Sequence, residues 1–401
     1  MKTELLAPAG DMARLKTAII YGADAVYFGG KQFSLRSRAS NFTLEDIREA
    51  VEFAHGYGRR VYVTVNIIPH NDDFNGLEEY LKKLEEFGVD AIICASQAIL
   101  TLCKRVAPEM EVHISTQQTT INTRALSYWK DKNADRVVLG REVNLKQLEE
   151  IMGKTDVPIE VFIHGGMCAN YSGRCTISNL LTNRDANRGG CAHSCRWDYH
   201  LWHDEELLDR DDYLLSLGSR DMCAAEYLED ILKLDVASLK IEGRMKTAFY
   251  IASIVRGYRY LIDCYQKQGY ISDRQKEKGW EMLMLGTNRE VFAGFYPGFD
   301  ISKGQLYNFP TTASQNFVGN VVSYDRDSSE AVIEVRNHFE KGDILAVMNP
   351  YQEDVTFIVD KMTDTDGEEV AVANRPLQLL RIKVPVEVNE YTFVHLVKEQ
   401  L

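Results

Sequence analysis

Short apolar runs recur between longer amphipathic stretches, and this alternation narrows the folds open to the chain more than any other feature. The runs are ELLAP (4–8), AVYFGG (25–30), RVYVTVN (60–66), AIICAS (91–96), EVHIST (111–116), RVVLGRE (136–142), IEVFIHG (159–165) and SLKIEG (238–243). Most are near-continuously apolar, the pattern of parallel strands covered on both faces. The stretches between several of them carry apolar residues at helical spacing. One opens at Thr43, with Asp46 placed for a capping box and Ile47, Ala50, Val51 and Ala54 on one side. Another sets Leu77, Tyr80, Leu81, Leu84 and Phe87 at the same spacing. Three junctions echo one another: YGADAVYF, FGVDAIIC and KNADRVVL. Each ends a helix at Gly22, Gly88 or Asn133, residue types that accept the left-handed backbone, then adds an Asp and enters a strand. Eight strands alternating with helices predict an α/β chain folded as a (β/α)8 TIM-like barrel, with a doubly wound open sheet as the alternative.

At 401 residues the chain has room for a large domain and a small one. The barrel pattern occupies residues 1–290, with an insertion at about 165–235 after the seventh strand. A linker over 291–315 contains the glycine-bearing GFYPGFDISKG. Residues 316–401 change character: FVGNVVSY, AVIEVR, DILAVM, VTFIVDKM, LLRIKV and YTFVHL are short and alternating, with turn-like DRDSS and TDTDG among them. They predict a small all-β barrel.

In a barrel of this kind, function lies at the C-terminal ends of the strands. Those ends carry Asn66, Gln97, Ser115, Thr116, Gln117, Arg141, Glu142, His164, Glu242, Gly243 and Arg244. His164, Arg141, Glu142 and Glu242 are the catalytic candidates; Asn66, Gln117 and Arg244 are candidates for holding substrate. Each has a plainer alternative. His164 suits a packed histidine, and Glu160 and Glu242 suit ion pairs with Arg141 and Arg244.

The insertion concentrates the cysteines. Cys168, Cys175, Cys191, Cys195 and Cys223 follow the spacing C-x6-C-x15-C-x3-C-x27-C. Cys94, Cys103 and Cys264 sit in apolar patterns and read as core residues. The other five have Gly, Asn, Ser and Arg as neighbours, which form loops. Four thiolates from loops hold zinc or an iron–sulfur cluster. Structural zinc favours closely paired ligands at both ends, and here only Cys191 and Cys195 are close; wide, irregular spacing suits a cluster. Both remain open from spacing alone. No thiol stands out beside a histidine as a nucleophile would.

The net charge of −13 argues against broad electrostatic binding to nucleic acid. It leaves room for a local basic site, and Arg174, Arg184, Arg188 and Arg196 face a single acid, Asp185, within the cysteine segment. The N-terminal MKTELLAPAG lacks the apolar core of a signal peptide, and no apolar run approaches membrane-spanning length. A cytoplasmic protein with reduced thiols and no membrane contact is expected. No HExxH, GxSxG or Walker motif occurs.

EVFIHGGMCANYSGRCTIS, Glu160 to Ser178, resembles the signature of the collagenase-like peptidase family U32. LLAPAG, GADAVYFGG, NRGGCAHSCRWDY, SLKIEGRMKT, RNHFEKGD and RPLQLLRIKV extend the resemblance over nearly the whole chain. The C-terminal segment is similar to the branch that acts in prephenate-dependent 5-hydroxylation of the tRNA wobble uridine. The resemblance implies a 4Fe-4S cluster on Cys168, Cys175, Cys191 and Cys223, with Cys195 an extra thiol close enough to Cys191 to replace a ligand. It implies tRNA, at its anticodon region, as partner, and prephenate, a small dicarboxylate, as co-substrate. Arg184, Arg188, Arg196 and Arg244 would hold phosphate or carboxylate. C5 of uridine is an unactivated carbon to which no side chain can supply oxygen, so a redox cofactor is expected, and with it an electron-transfer partner or second subunit. Two other readings stand beside this one: a peptidase, and a zinc-stabilised RNA-binding scaffold.

Overall fold

The computed structural model describes residues 3–35, 41–208, 215–300, 304, 316–350 and 352–397. Seven strands, β1 (Glu4–Pro8), β2 (Ala25–Gly29), β3 (Arg60–Val65), β4 (Ala91–Cys94), β5 (Glu111–Ile114), β6 (Arg136–Val138) and β7 (Ile159–Gly165), pair in parallel in chain order. An eighth, Ser238–Ile241, pairs in parallel with both β7 and β1 and closes the ring. Closure rules out the open doubly wound sheet. Helices α1 (Met12–Ile20), α2 (Leu44–Gly56), α3 (Leu77–Glu86), α4 (Gln97–Val106), α5 (Thr123–Asp131) and α6 (Leu145–Met152) return the chain between successive strands. The capping box at Thr43 and Asp46 is formed, and Ile47, Ala50, Val51 and Ala54 are buried.

The echo among the three junctions has a physical cause. Gly22, Gly88 and Asn133 take positive φ (109°, 82° and 60°). The aspartate that follows each accepts a backbone N–H from the preceding strand: Asp24 from Leu5 (3.0 Å), Asp90 from Val61 (2.7 Å) and Asp135 from Val112 (2.7 Å). Each side chain thus clasps the start of β2, β4 or β6 to the strand before it.

The barrel interior mixes apolar residues with a charged network. Leu6, Ala25, Tyr27, Tyr62, Ala91 and Ile93 pack together. Beside them Glu160, fully buried, accepts from Lys240 (2.6 Å) and Arg136 (3.3 Å), and Arg136 also reaches Glu4 (2.6 Å). The two cations hold the Glu160 carboxyl down to about 2 against the burial that raises it. Glu160 is therefore an interior ion-pair residue, and its partners are Lys240 and Arg136 rather than Arg141 or Arg244.

Between β7 and the eighth strand lie α7 (Ile177–Thr182) and α8 (Leu228–Lys233); after that strand, α9 (Ala248–Gln268) and α10 (Asp273–Gly286) pack against each other. Residues 301–303 and 305–315 of the expected linker lie outside the described residues. The C-terminal strands form a seven-stranded antiparallel sheet around Val318, Ile333, Phe339, Leu345 and Leu380. Among the described residues its strand order is open, so the all-β unit expected here is a half-barrel. It seats against α1 and α9: Tyr21 Oη donates to the carbonyls of Met348 (3.0 Å) and Tyr391 (2.7 Å), and Phe249 stacks on Phe317 at 4.5 Å. Among the described residues no helix is long and apolar enough to cross a membrane.

Candidate functional site

The cysteine insertion is built from turns. Its backbone enters the left-handed region at Gly173, Asn183, Gly189 and His193 (φ 74°, 51°, 96° and 54°), and its helix α7 (Ile177–Thr182) is short. Tethers fasten it over the barrel mouth. Gly173 lies flat on the Gln117 backbone, where a Cβ would stand 1.9 Å from the Gln117 carbonyl oxygen. The Ser172 N–H donates to Glu142 Oε1 (2.7 Å), and the Ser172 carbonyl accepts from Thr119 Oγ1 (2.6 Å). Further on, the Ile68 N–H donates to the Asn187 carbonyl (3.0 Å), and Arg188 grips Asp73 with two bonds (3.0 and 2.9 Å). The loops after β3, β5 and β6 thus all hold the insertion.

Four of the thiols lie on these tethered loops. The Cys195 thiol is pushed up, first by burial; Arg196 draws it back, while Cys168, Cys191 and Cys175 raise it further. Those three cysteines therefore lie within electrostatic reach of Cys195. Donors face the sulfurs as well. Asn170 Nδ2 donates to Cys175 Sγ (3.5 Å). Cys191 is drawn down to about 7, chiefly by a hydrogen bond with the His193 side chain. This thiol–imidazole pair is one that reading the sequence does not single out.

Cys223 is placed differently. It lies on the short strand Asp221–Cys223, which runs antiparallel to the end of β7, and it is buried 3.7 Å from the Tyr258 hydroxyl. Cys168, Cys175 and Cys191 are the thiols that act on Cys195, while Cys223 lies in a buried strand. Among the described residues no three His, Cys, Asp or Glu side chains converge on one point as a single metal ion demands. A 4Fe-4S cube binds each thiolate on a different iron, so its ligands surround a volume rather than a point. Four loop thiols with N–H donors and Arg196 facing them fit that group.

At the mouth itself, Asn66 and Gln117 interlock: Asn66 Nδ2 donates to Gln117 Oε1 (2.7 Å), and Gln117 Nε2 donates to the Asn66 carbonyl (3.1 Å). Arg141 lies 3.7 Å from the Phe162 ring centroid and 3.9 Å from Glu242. Glu242 also accepts from Tyr27 Oη (3.3 Å). Arg141 and Glu242 thus form a half-sheltered pair in the mouth. Arg244 is buried and donates to Ser34 Oγ (3.2 Å) and Asn41 Oδ1 (2.7 Å), which makes it a strut between loops rather than the partner of Glu242. Glu142 serves as a tether. His164 is 1% exposed, 3.3 Å from Tyr258 Oη, and burial pushes it down to about 3. It is a neutral residue of the core.

Arg184 and Arg188 are exposed, and Arg196 is half-buried. A cavity of about 320 Å³ opens beside Arg188, between Lys31, Phe33, Ile67 and Asn75.

Comparison with known proteins agrees with this architecture. Residues 10–305 match Peptidase family U32, and residues 313–394 match the Peptidase family U32 C-terminal domain. The chain is 43% identical over 390 residues to tRNA hydroxylation protein P1 of Bacillus subtilis (strain 168), covering 96% of this chain and 92% of that one. It is 31% identical over 425 residues to tRNA hydroxylation protein P of Escherichia coli (strain K12), covering 93% and 91%. It is 36% identical over 336 residues to the 23S rRNA 5-hydroxycytidine C2501 synthase of the same organism, covering 83% of this chain and 50% of that one. With a match that runs from the first strand–helix junction to the last strand of the half-barrel, the chain belongs to peptidase family U32.

Proposed function

We propose that this chain is a cytoplasmic RNA-hydroxylating enzyme that carries a 4Fe-4S cluster and acts on C5 of the tRNA wobble uridine, with prephenate as a required small molecule. The observation that supports the reading is that Cys168, Cys175 and Cys191 act electrostatically on Cys195 within an insertion tethered to the loops after β3, β5 and β6. The names of the relatives, which are tRNA and rRNA hydroxylation proteins, support the substrate class.

When bound, the cluster supplies one-electron redox chemistry that no side chain offers. The protein's own residues do the rest. The tethered insertion roofs the mouth and keeps bulk water from it. The cavity beside Arg188 has room for one nucleobase taken out of its stack, with Phe33 and Ile67 as apolar walls and Asn75 as a hydrogen-bonding edge. Arg141 and Glu242 present a cation and a carboxylate to whatever enters the mouth. Arg184, exposed on the insertion, is placed to meet backbone phosphate.

Cells that lack the chain are expected to lose 5-hydroxyuridine-derived wobble modifications, and blocking prephenate synthesis should give the same loss. Full modification in a deletion strain that also lacks any parallel oxygen-dependent pathway overturns the reading. A second reading, a cysteine peptidase, is favoured by one observation, the His193 side chain hydrogen-bonded to Cys191. It requires peptide or gelatin hydrolysis that is abolished by His193→Ala, and an iron-loaded protein without such hydrolysis excludes it.

A further inference from the structure

A 3-10 turn, Asn71–Phe74, follows β3 and stands between two depressions in the barrel rim. On one side lies the cavity beside Arg188, bordered by Asp73 and Asn75. On the other lies a groove of about 670 Å³, bordered by Phe74 on the turn and by Ala98, Thr101 and Leu102 on α4. Phe74 sits in the chain between Asp73 and Asn75, so one residue of backbone parts the two spaces.

The turn is clasped. Arg188 grips Asp73 with two bonds (3.0 and 2.9 Å), the His70 N–H donates to Asp73 Oδ2 (2.8 Å), and the Asn75 N–H donates to the Asp72 carbonyl (3.2 Å). Phe74 is nevertheless 37% exposed, and among the described residues no other ring packs against it. The polar edge of the groove has bonding capacity to spare. Ser96 makes no capping bond at the start of α4. Gln97 accepts from the Tyr128 hydroxyl through Oε1, and its amide nitrogen has no partner among the described residues. Arg105 is 69% exposed and touches Glu78 at 3.3 Å, while Lys82 holds the same carboxylate at 2.8 Å. Arg105 can therefore turn to a phosphate without leaving Glu78 unpaired. The lining of the groove holds this one cation and no carboxylate: Asp73 is answered by Arg188, and Asp72 lines the cavity instead.

We propose that the turn Asn71–Phe74 parts two consecutive nucleotides of single-stranded RNA, with the target base in the cavity and its neighbour stacked on Phe74 in the groove. A base has a flat face for the ring, an edge for Ser96 and Gln97, and a phosphate for Arg105. The neighbour recovers on Phe74 the stacking it loses when the target base leaves it. Relatives named for tRNA and rRNA hydroxylation favour RNA over a peptide as the occupant. The proposal rests on the proposed function in one respect: it takes the cavity as the seat of the target base.

The test is equilibrium binding, by fluorescence anisotropy, of the full-length protein to an end-labelled RNA pentamer with one central uridine. Two further pentamers carry an abasic site immediately 5′ or immediately 3′ of that uridine. One of these two should bind about tenfold more weakly than the intact RNA, the scale of one lost base–aromatic stack. Phe74→Ala should weaken the intact RNA by a similar factor and erase its advantage over that abasic RNA. Phe74→Trp should restore both. Arg105→Gln should lower the salt dependence of binding by about one released counterion. Equal binding of all three RNAs by the wild type, or a difference that persists in Phe74→Ala, overturns the proposal, and so does absence of RNA binding. The groove and the proposed reaction fail separately: coupling between Phe74 and the neighbouring base can be present in a protein that hydroxylates nothing, and absent from one that does.

Discussion

Glu142 accepts the Ser172 backbone N–H at 2.7 Å, and this bond ties the loop after β6 to the stretch between the first two cysteines of the insertion. A carboxylate accepting a main-chain donor is among the stronger single hydrogen bonds in a protein. Glu142→Ala leaves that N–H without its partner, at a local cost of about 1–3 kcal/mol. Alkylation of Cys168 and Cys175 in the metal-free protein should therefore become faster, while Cys94 in the core stays protected. Glu142→Gln retains an acceptor and should fall between the two. Equal alkylation rates in all three proteins would show that the tether does not order the insertion.

Metal content distinguishes the fourth thiol. Anaerobically prepared protein should contain iron and acid-labile sulfide in near-equal amounts, about four of each per chain for a cube. Serine at Cys168, Cys175, Cys191 or Cys195 should strip both. Cys223→Ser should keep them, since that thiol is buried beside Tyr258. Loss in Cys223→Ser with retention in Cys195→Ser would restore the grouping suggested by resemblance. Stoichiometric zinc without sulfide would replace the cluster by a structural ion.

The mouth pair predicts a different kind of loss. Arg141→Ala and Glu242→Gln should leave iron and sulfide unchanged yet slow tRNA modification by about 10- to 100-fold, the scale of a misplaced substrate. Wild-type rates in both variants, with the cluster intact, would move the reacting atoms away from Arg141 and Glu242.

His164 predicts a pH dependence of stability. Burial pushes it down to about 3, far below the ordinary histidine value near 6.5. Between those two values the unfolded chain takes up a proton that the folded chain refuses. The contribution of His164 is thus complete above about pH 6.5 and is lost as pH falls towards 3, at about 1.4 kcal/mol per pH unit. Buried His113 is shifted in the same direction and adds to the slope. His164→Leu should reduce the slope of unfolding free energy between about pH 7 and pH 5 by one proton's worth. An unchanged slope would mean that the imidazole is not enclosed.

The barrel was legible in the sequence because its cause is local. Continuous apolar runs, Thr43 with Asp46, and Gly22, Gly88 and Asn133 all act within a few residues of themselves. The site was legible only in part. Cys168 and Cys175 stand out by their loop neighbours, but spacing cannot say which of Cys195 and Cys223 joins them. The fold sets Cys223 in a buried strand against β7 and leaves Cys195 on a turn beside Arg196, a placement that spacing does not encode. Arg188 looked free in a basic segment, yet Asp73, from the loop after β3, engages it.

The aspartate clasps also bear on the order in which the molecule assembles. Asp24, Asp90 and Asp135 reach only 19, 29 and 23 residues back along the chain, so each two-strand unit can settle soon after it is made. The seam that completes the ring joins Glu4 to Ser238, with the whole cysteine insertion between β7 and the strand that must return. The first strands are thus set while the ring is still open. The late step is the return of one strand across a segment rich in thiols, and a premature cross-link among those cysteines would obstruct it.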